Sequence, residues 1–223
     1  MATTIPIYLE RGDKKVFACS IDFPGWCRSG KTDEEAMDAL AAYAPRYAEV
    51  ARRAEVAFPA PARAGERLQV VERVKGKGAT DFGIPHEVTK GDAEPMTARQ
   101  AARQVELMRA AWAVLDRVAK ASPAELRKGP RGGGRDRDKM LDHVLGAEAA
   151  YAHKLGVKHP QPDLGDGKAI KALRDDLAEV LGGASDGSPP VPNGWPPRYA
   201  LRRITWHVLD HAWEMEDRRD PDG

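Results

Sequence analysis

Two histidines four residues apart carry the strongest chemical signal in this chain: His207 and His211, in Trp206-His207-Val208-Leu209-Asp210-His211-Ala212-Trp213. In a helix, residues i and i+4 stand one above the other on one face, so two imidazoles at this spacing can grip a single metal ion. A third, His143, lies in another helix-forming stretch, Lys139-Met140-Leu141-Asp142-His143-Val144-Leu145-Gly146-Ala147. If the two helices pack side by side, three nitrogens converge and leave positions free for water or substrate, as catalytic metals require. An isolated HxxxH also arises by chance, and a lone helical His is more often a surface or satisfied core residue than a ligand. Here His207 and His211 share a face with Ile204, Val208 and Met215, so the rings point inward, where unpaired polar groups are costly. His143 shares a side with Met140 and Ala147, and bundle cores commonly hold metals between facing helices. His86, His153 and His159 fall outside this pattern.

Around the trio, Glu214 is one turn beyond His211 and Arg203 one turn before His207. Glu214 is a candidate to orient an imidazole or to act as a base, and Arg203 joins it as a candidate catalytic residue. The ordinary alternative for both is a solvent-exposed helix position. Asp210 is turned further away. Trp206 and Trp213 share a stripe and are expected to pack rather than to hold substrate, as is Tyr151, two turns from His143. The segment Lys128-Gly129-Pro130-Arg131-Gly132-Gly133-Gly134-Arg135-Asp136-Arg137-Asp138-Lys139 offers amides and cations before a helix N-terminus, where anions are stabilised. Arg131 and Arg135 are its candidate grips for a carboxylate or phosphate, against the plainer expectation of a basic loop. It lacks the preceding strand and the GKS/T ending of a P-loop.

These residues need elements to position them. Ile5–Glu10 and Lys15–Ile21 alternate like strands around a turn-forming Arg11-Gly12-Asp13-Lys14, and Cys27-Arg28-Ser29 reads as a short third strand. Thr32-Asp33-Glu34-Glu35 is a capping box that opens a helix over 33–54, which Pro45 should kink or divide. A last strand covers 68–74. Glycine, proline and charge dominate 76–95, expected to be a linker docking on the next domain through Phe82 and Ile84. Four amphipathic helices follow, over 97–121 (Val105, Met108, Trp112, Leu115, Ala119), 136–155 (Met140, Val144, Ala147, Tyr151), 168–181 (Ile170, Leu173, Leu177, Val180) and 197–218 (Leu201, Ile204, Val208, Ala212, Met215). The fold class expected is α+β: a small β-β-β-α-β domain over 1–75, a linker over 76–96, and an all-α four-helix bundle over 97–218.

The 223 residues carry a formal net charge of +1, with neither half strongly basic, so general nucleic-acid binding is not expected. No apolar run can span a bilayer and no signal-peptide pattern opens the chain, so the expected setting is cytoplasmic, without a membrane. Cys19 and Cys27 are then expected as free thiols.

Residues 97–218 resemble the DinB-like superfamily, which includes bacillithiol- and mycothiol-dependent transferases. That family is a four-helix bundle with one His on the second helix and an HxxxH on the last, matched here by His143, His207 and His211. The resemblance implies a divalent ion (zinc, nickel, iron or manganese) completed by water, and a low-molecular-weight thiol as a further cofactor. Residues 7–54 resemble HicB-like antitoxin domains, through the strand pair followed by Phe23-Pro24-Gly25-Trp26-Cys27-Arg28-Ser29-Gly30-Lys31-Thr32-Asp33-Glu34-Glu35-Ala36. HicB proteins inhibit a ribonuclease toxin and usually add a DNA-binding tail. Here a bundle follows instead, which leaves dimerisation or ligand sensing as the module's implied role and a homodimer among the partners. The leading expectation is a metal-dependent enzyme, of thiol-transferase or hydrolase type, acting on a small molecule. The rivals are a toxin–antitoxin or stress-related interaction protein with a structural or sensing metal, and a metal-binding scaffold without turnover.

Overall fold

The computed structural model describes residues 4–129 and 133–219. Alternating apolar residues make β1 (Ile5–Arg11) and β2 (Val16–Ser20) an antiparallel hairpin, closed by the Gly12 amide donating to the Lys15 carbonyl at 2.8 Å. β3 (Cys27–Gly30) adds to β2, and β4 (Leu68–Lys75) returns parallel to β1, giving the order β3-β2-β1-β4. Between them, α1 (Asp33–Ala42) and α2 (Ala44–Arg53) are one helical run divided at Tyr43, beside Pro45. Thr32 caps α1 by accepting from the Glu35 amide at 3.2 Å, while the Glu35 carboxylate accepts from the Lys31 amide at 2.8 Å.

The two faces of the sheet have different partners. Ile7, Leu9, Val16 and Ala18 face Trp26, Leu40 and Tyr47, in a core that continues without a break into the helices that follow. Tyr8, Phe17, Cys19 and Cys27 form a second cluster with Trp206 on the opposite face. The free thiols expected at Cys19 and Cys27 are corrected here. The β2–β3 register sets the two residues opposite each other, with Cα atoms 4.1 Å apart, and they are joined as a disulfide.

The segment after β4 contains α3 (Gly78–Asp81) and a 3-10 turn at Lys90–Ala93. Ile84 docks on the second cluster as expected. Phe82 does not: it is 89% exposed, because the chain reverses at Gly83 (φ 100°) between the two side chains. What anchors the segment is the buried Glu10 of β1. Its carboxylate accepts from Thr80 Oγ1 at 2.6 Å and from the His86 and Glu87 amides at 3.0 and 3.1 Å.

The bundle comprises α4 (Ala98–Ala121), α5 (Arg137–His153), α6 (Gly167–Gly182) and α7 (Pro197–Arg218), with α6 and α7 each packed against both α4 and α5. The inward row of α6 is Leu173, Leu177 and Leu181 at i, i+4, i+8; Val180, expected inward, lies about a sixth of a turn from the centre of that row, at its edge, and is exposed. Buried Glu148 ties three helices together, accepting from Trp112 Nε1 at 2.7 Å and Arg174 Nε at 3.2 Å. None of the described helices is long and apolar enough to cross a membrane.

Helix α7 joins sheet and bundle. Trp206 meets Phe17 edge to face, with ring centroids 6.4 Å apart. Gly25 (φ 85°) sits so close that a Cβ there would come within 2.8 Å of Leu209 and Thr205, so the Phe-Pro-Gly-Trp turn rests directly on the helix. Arg28 pairs with Asp210 at 3.0 Å. Buried Arg202 donates to Asp92 at 2.9 Å and to the Tyr8 hydroxyl. Removing one member of a buried pair strands the other charge, so Asp92→Ala should destabilise the fold by about 3–5 kcal/mol. Asp92→Leu combined with Arg202→Met should recover most of that loss in denaturant unfolding followed by circular dichroism. A loss below about 1 kcal/mol for the single variant would place the pair among weak surface bridges.

Candidate metal centre

Packing of α5 against α7 brings His143, His207 and His211 together, with one candidate ligand nitrogen or other donor atom from each lying within 4.8 Å of the others. Ring centroids are 5.0 Å apart for His143–His207, 5.0 Å for His143–His211 and 4.6 Å for His207–His211. The rings meet at 64–90° rather than stacking. Nε2 of His207 lies 3.2 Å from Nε2 of His143. Two nitrogens held about 2.0–2.1 Å from one tetrahedral ion stand roughly 3.3–3.4 Å apart, so the observed spacing suits a divalent cation.

The electrostatics favour neutral rings at His143 and His207. Burial pushes the His143 pKa down, with the positive field of Arg135 and of His211 adding to it. His207 is pushed well below the usual histidine range, first by burial and then by His211, Arg203 and His143. Lone pairs are therefore available to a cation at neutral pH. His211 Nδ1 lies 3.1 Å from Glu214 Oε2, and Arg218 donates to Glu214 Oε1 at 2.7 Å. These hydrogen bonds, from His211 first, hold the Glu214 carboxyl below its ordinary value despite partial burial. An ionised Glu214 accepts the Nδ1 proton and leaves Nε2 of His211 free to ligate. Among the described residues no fourth His, Cys, Asp or Glu belongs to the cluster.

Arg203 is enclosed beside the centre, 8% exposed, its guanidinium 4.7 Å from the Trp206 ring centroid and 5.4 Å from that of Tyr151. Nη1 of Arg203 is buried without a hydrogen-bond partner, as are Nε1 of Trp206 and Nδ1 of His207. The other enclosed arginines each have a carboxylate: Arg28 has Asp210, Arg174 has Glu148, Arg202 has Asp92 and Arg218 has Glu214. Withdrawing an ion from water costs several kcal/mol, and a cation–π contact returns about 0.5–2 kcal/mol, so Arg203 is left under-compensated.

The remaining expectations fall on both sides of the site. Tyr151 packs 5.8 Å from the His207 ring and against Trp195. Trp206 and Trp213 are buried packing residues, and Asp210 is turned to Arg28. Arg135 is exposed, close enough to act electrostatically on His143 and His207, whereas Arg131 lies outside the described residues. A cavity of about 520 Å³, lined by Phe23, Phe58, Arg67, Arg103 and Arg198 among others, sits at the start of α7 and includes none of the three histidines. Arg218 is the partner of Glu214 that pattern reading passed over. Its Nε also donates to the Arg127 carbonyl at 2.7 Å, tying the residue before the glycine-rich segment to the helix that carries Glu214. The i, i+4 spacing of Glu214 and Arg218 was the available signal.

Compared with family models, with curated proteins and with solved structures, the chain matches none. Removing the ionised acceptor at Glu214 should weaken the centre without unfolding it. Glu214→Gln is expected to lower divalent-metal affinity by about 10–100-fold in equilibrium dialysis. Unaltered affinity would mean that the His211–Glu214 contact does not orient a ligand.

Proposed function

We propose that this chain is a divalent-metal enzyme acting on a small molecule, of thiol-transferase or hydrolase type, built on a DinB-like bundle over 97–218. The observation that carries the reading is the convergence of His143, His207 and His211, with the spacing of His207 and His143 close to that of two ligands of one ion. A bound divalent ion (zinc, nickel, iron or manganese) supplies Lewis-acid polarisation of a substrate oxygen or sulfur. The chain does the rest. The three imidazoles hold the ion; Glu214 orients His211 and is the carboxylate placed to take up a proton; Arg218 keeps that carboxylate ionised. Arg203 and Arg135 bring positive charge to the approach, and Arg131 belongs to the same basic segment. A low-molecular-weight thiol is the cofactor this class would use, in a cytoplasmic setting.

A second reading is supported by the contacts of the HicB-like module over 1–75, joined to the bundle through the 76–96 linker. Its Gly25 rests on Thr205 and Leu209, and its Arg28 holds Asp210, both on the helix that carries two of the histidines. A sensor that passes metal occupancy to an interaction surface, such as a homodimer face, would use that coupling.

The two readings separate on the openness of the centre. About one divalent ion per chain is expected on purification or reconstitution, and His207→Ala should remove most of it. With cobalt in place, added azide or a small thiol should change the visible spectrum if a coordination position is open. A spectrum indifferent to every added ligand favours the sensing reading, and unchanged stoichiometry in His207→Ala removes both.

A further inference from the structure

The cleft of about 520 Å³ at the start of α7 lies apart from the histidine centre, and its volume falls among small-molecule sites, which run from about 300 to 1,000 Å³. Both parts of the chain build its walls: Phe23, Phe58 and Arg67 come from the sheet module, Arg103 from α4 and Arg198 from α7. The apolar wall is Phe58 set edge to face on Phe23, with ring centroids 4.9 Å apart. Behind Phe58 stand Trp26 and Tyr47, each tied to a backbone carbonyl at 2.9 Å, so the wall is held in place before any ligand arrives.

The polar lining is unbalanced. Arginines elsewhere on the surface, such as Arg11, Arg46, Arg53 and Arg109, have carboxylates against them. Among the described residues, Arg67, Arg103 and Arg198 have none within ion-pair distance. Arg103 donates to the Asp22 carbonyl at 2.7 Å and lies 5.0 Å from the Phe23 ring centroid. Arg198 donates to the Glu94 and Pro95 carbonyls at 3.1 and 2.8 Å. Carbonyls fix a guanidinium without neutralising it, and part of its set of five N–H donors stays free. Arg67 has no hydrogen-bond partner among the described residues. Three cations thus line one cleft with a single carboxylate, that of Asp22.

We propose that this cleft binds a small phosphomonoester with a flat apolar body, its phosphate on the arginines and its ring system on Phe58 and Phe23. A phosphomonoester carries about −1.5 to −2 charges near pH 7, which answers the excess of cations, and its three oxygens match guanidinium forks. The site is independent of the metal-enzyme reading, because it shares no residue with the histidine centre. An occupant would touch module and bundle together and so stabilise their junction. The rival is a basic surface that attracts any anion without regard to its body.

Calorimetric titration of the full chain, with chelator present to keep anions off any ion at the histidines, decides between them. The probes are 1-naphthyl phosphate, 1-naphthoate, 1-naphthol and inorganic phosphate. Naphthyl phosphate is expected to bind at least about tenfold more tightly than naphthol, as charge-assisted hydrogen bonds warrant, and more tightly than naphthoate or inorganic phosphate. It should also raise the melting temperature in a concentration-dependent way. Arg67→Met should weaken naphthyl phosphate about tenfold while leaving the melting temperature of the unliganded chain unchanged, since Arg67 holds no other part of the fold. Arg103→Lys, which keeps the charge but loses the fork, should weaken it less, and supplies the test if the Met variant does not fold. His207→Ala should bind the probe as the parent chain does. Equal binding of naphthyl phosphate and naphthol, tighter binding of naphthoate or inorganic phosphate, unaltered affinity in both arginine variants, or loss of binding in His207→Ala would overturn the assignment.

Discussion

Helix α7 has almost no face turned to water between Pro197 and Trp213, so every polar group along it must be answered by another element. Most are. Arg202 is answered by Asp92 and Tyr8, Asp210 by Arg28, and His211 by Glu214, itself braced by Arg218. The groups left over lie between Arg203 and His207, beside the histidine cluster. Burial on all sides therefore stabilises the helix where its polar groups are paired and is costly where they are not.

The same constraint explains why sheet and bundle are joined so closely. The outer face of the sheet, with Tyr8, Phe17 and the Cys19–Cys27 pair, needs an apolar cover, and Trp206 provides it. The Phe-Pro-Gly-Trp turn can approach α7 only because Gly25 has no side chain. His207 follows Trp206 directly, so the residue that covers the sheet is fixed to the residue that faces the centre.

Local pattern made much of this legible. The hairpin, the break beside Pro45 and the four amphipathic helices follow from periods of two and 3.6 and from local breakers, and they stand close to where those periods place them. The histidine trio was legible for the same reason, since HxxxH fixes a face and His143 lies on an inward stripe. What was not legible depends on pairs distant in the chain. Arg28 with Asp210, Arg202 with Asp92, and Glu148 with Trp112 and Arg174 have no local signature, because exposed and buried arginines look alike until packing is known. Cys19 and Cys27 became partners through strand register, and Phe82 was left outside by the turn at Gly83. The unpaired state of Arg203 emerges only when its neighbours' partners are known.

The central claim is that the three imidazoles hold one ion and leave it open to a further ligand. X-ray absorption spectroscopy of the zinc- or cobalt-loaded full chain tests it most directly. The expected result is a shell containing three imidazole nitrogens at about 2.0–2.2 Å, completed by a light atom that an added thiol replaces with sulfur. A shell without imidazole scattering, or one closed by four protein ligands and unchanged by thiol, would contradict it.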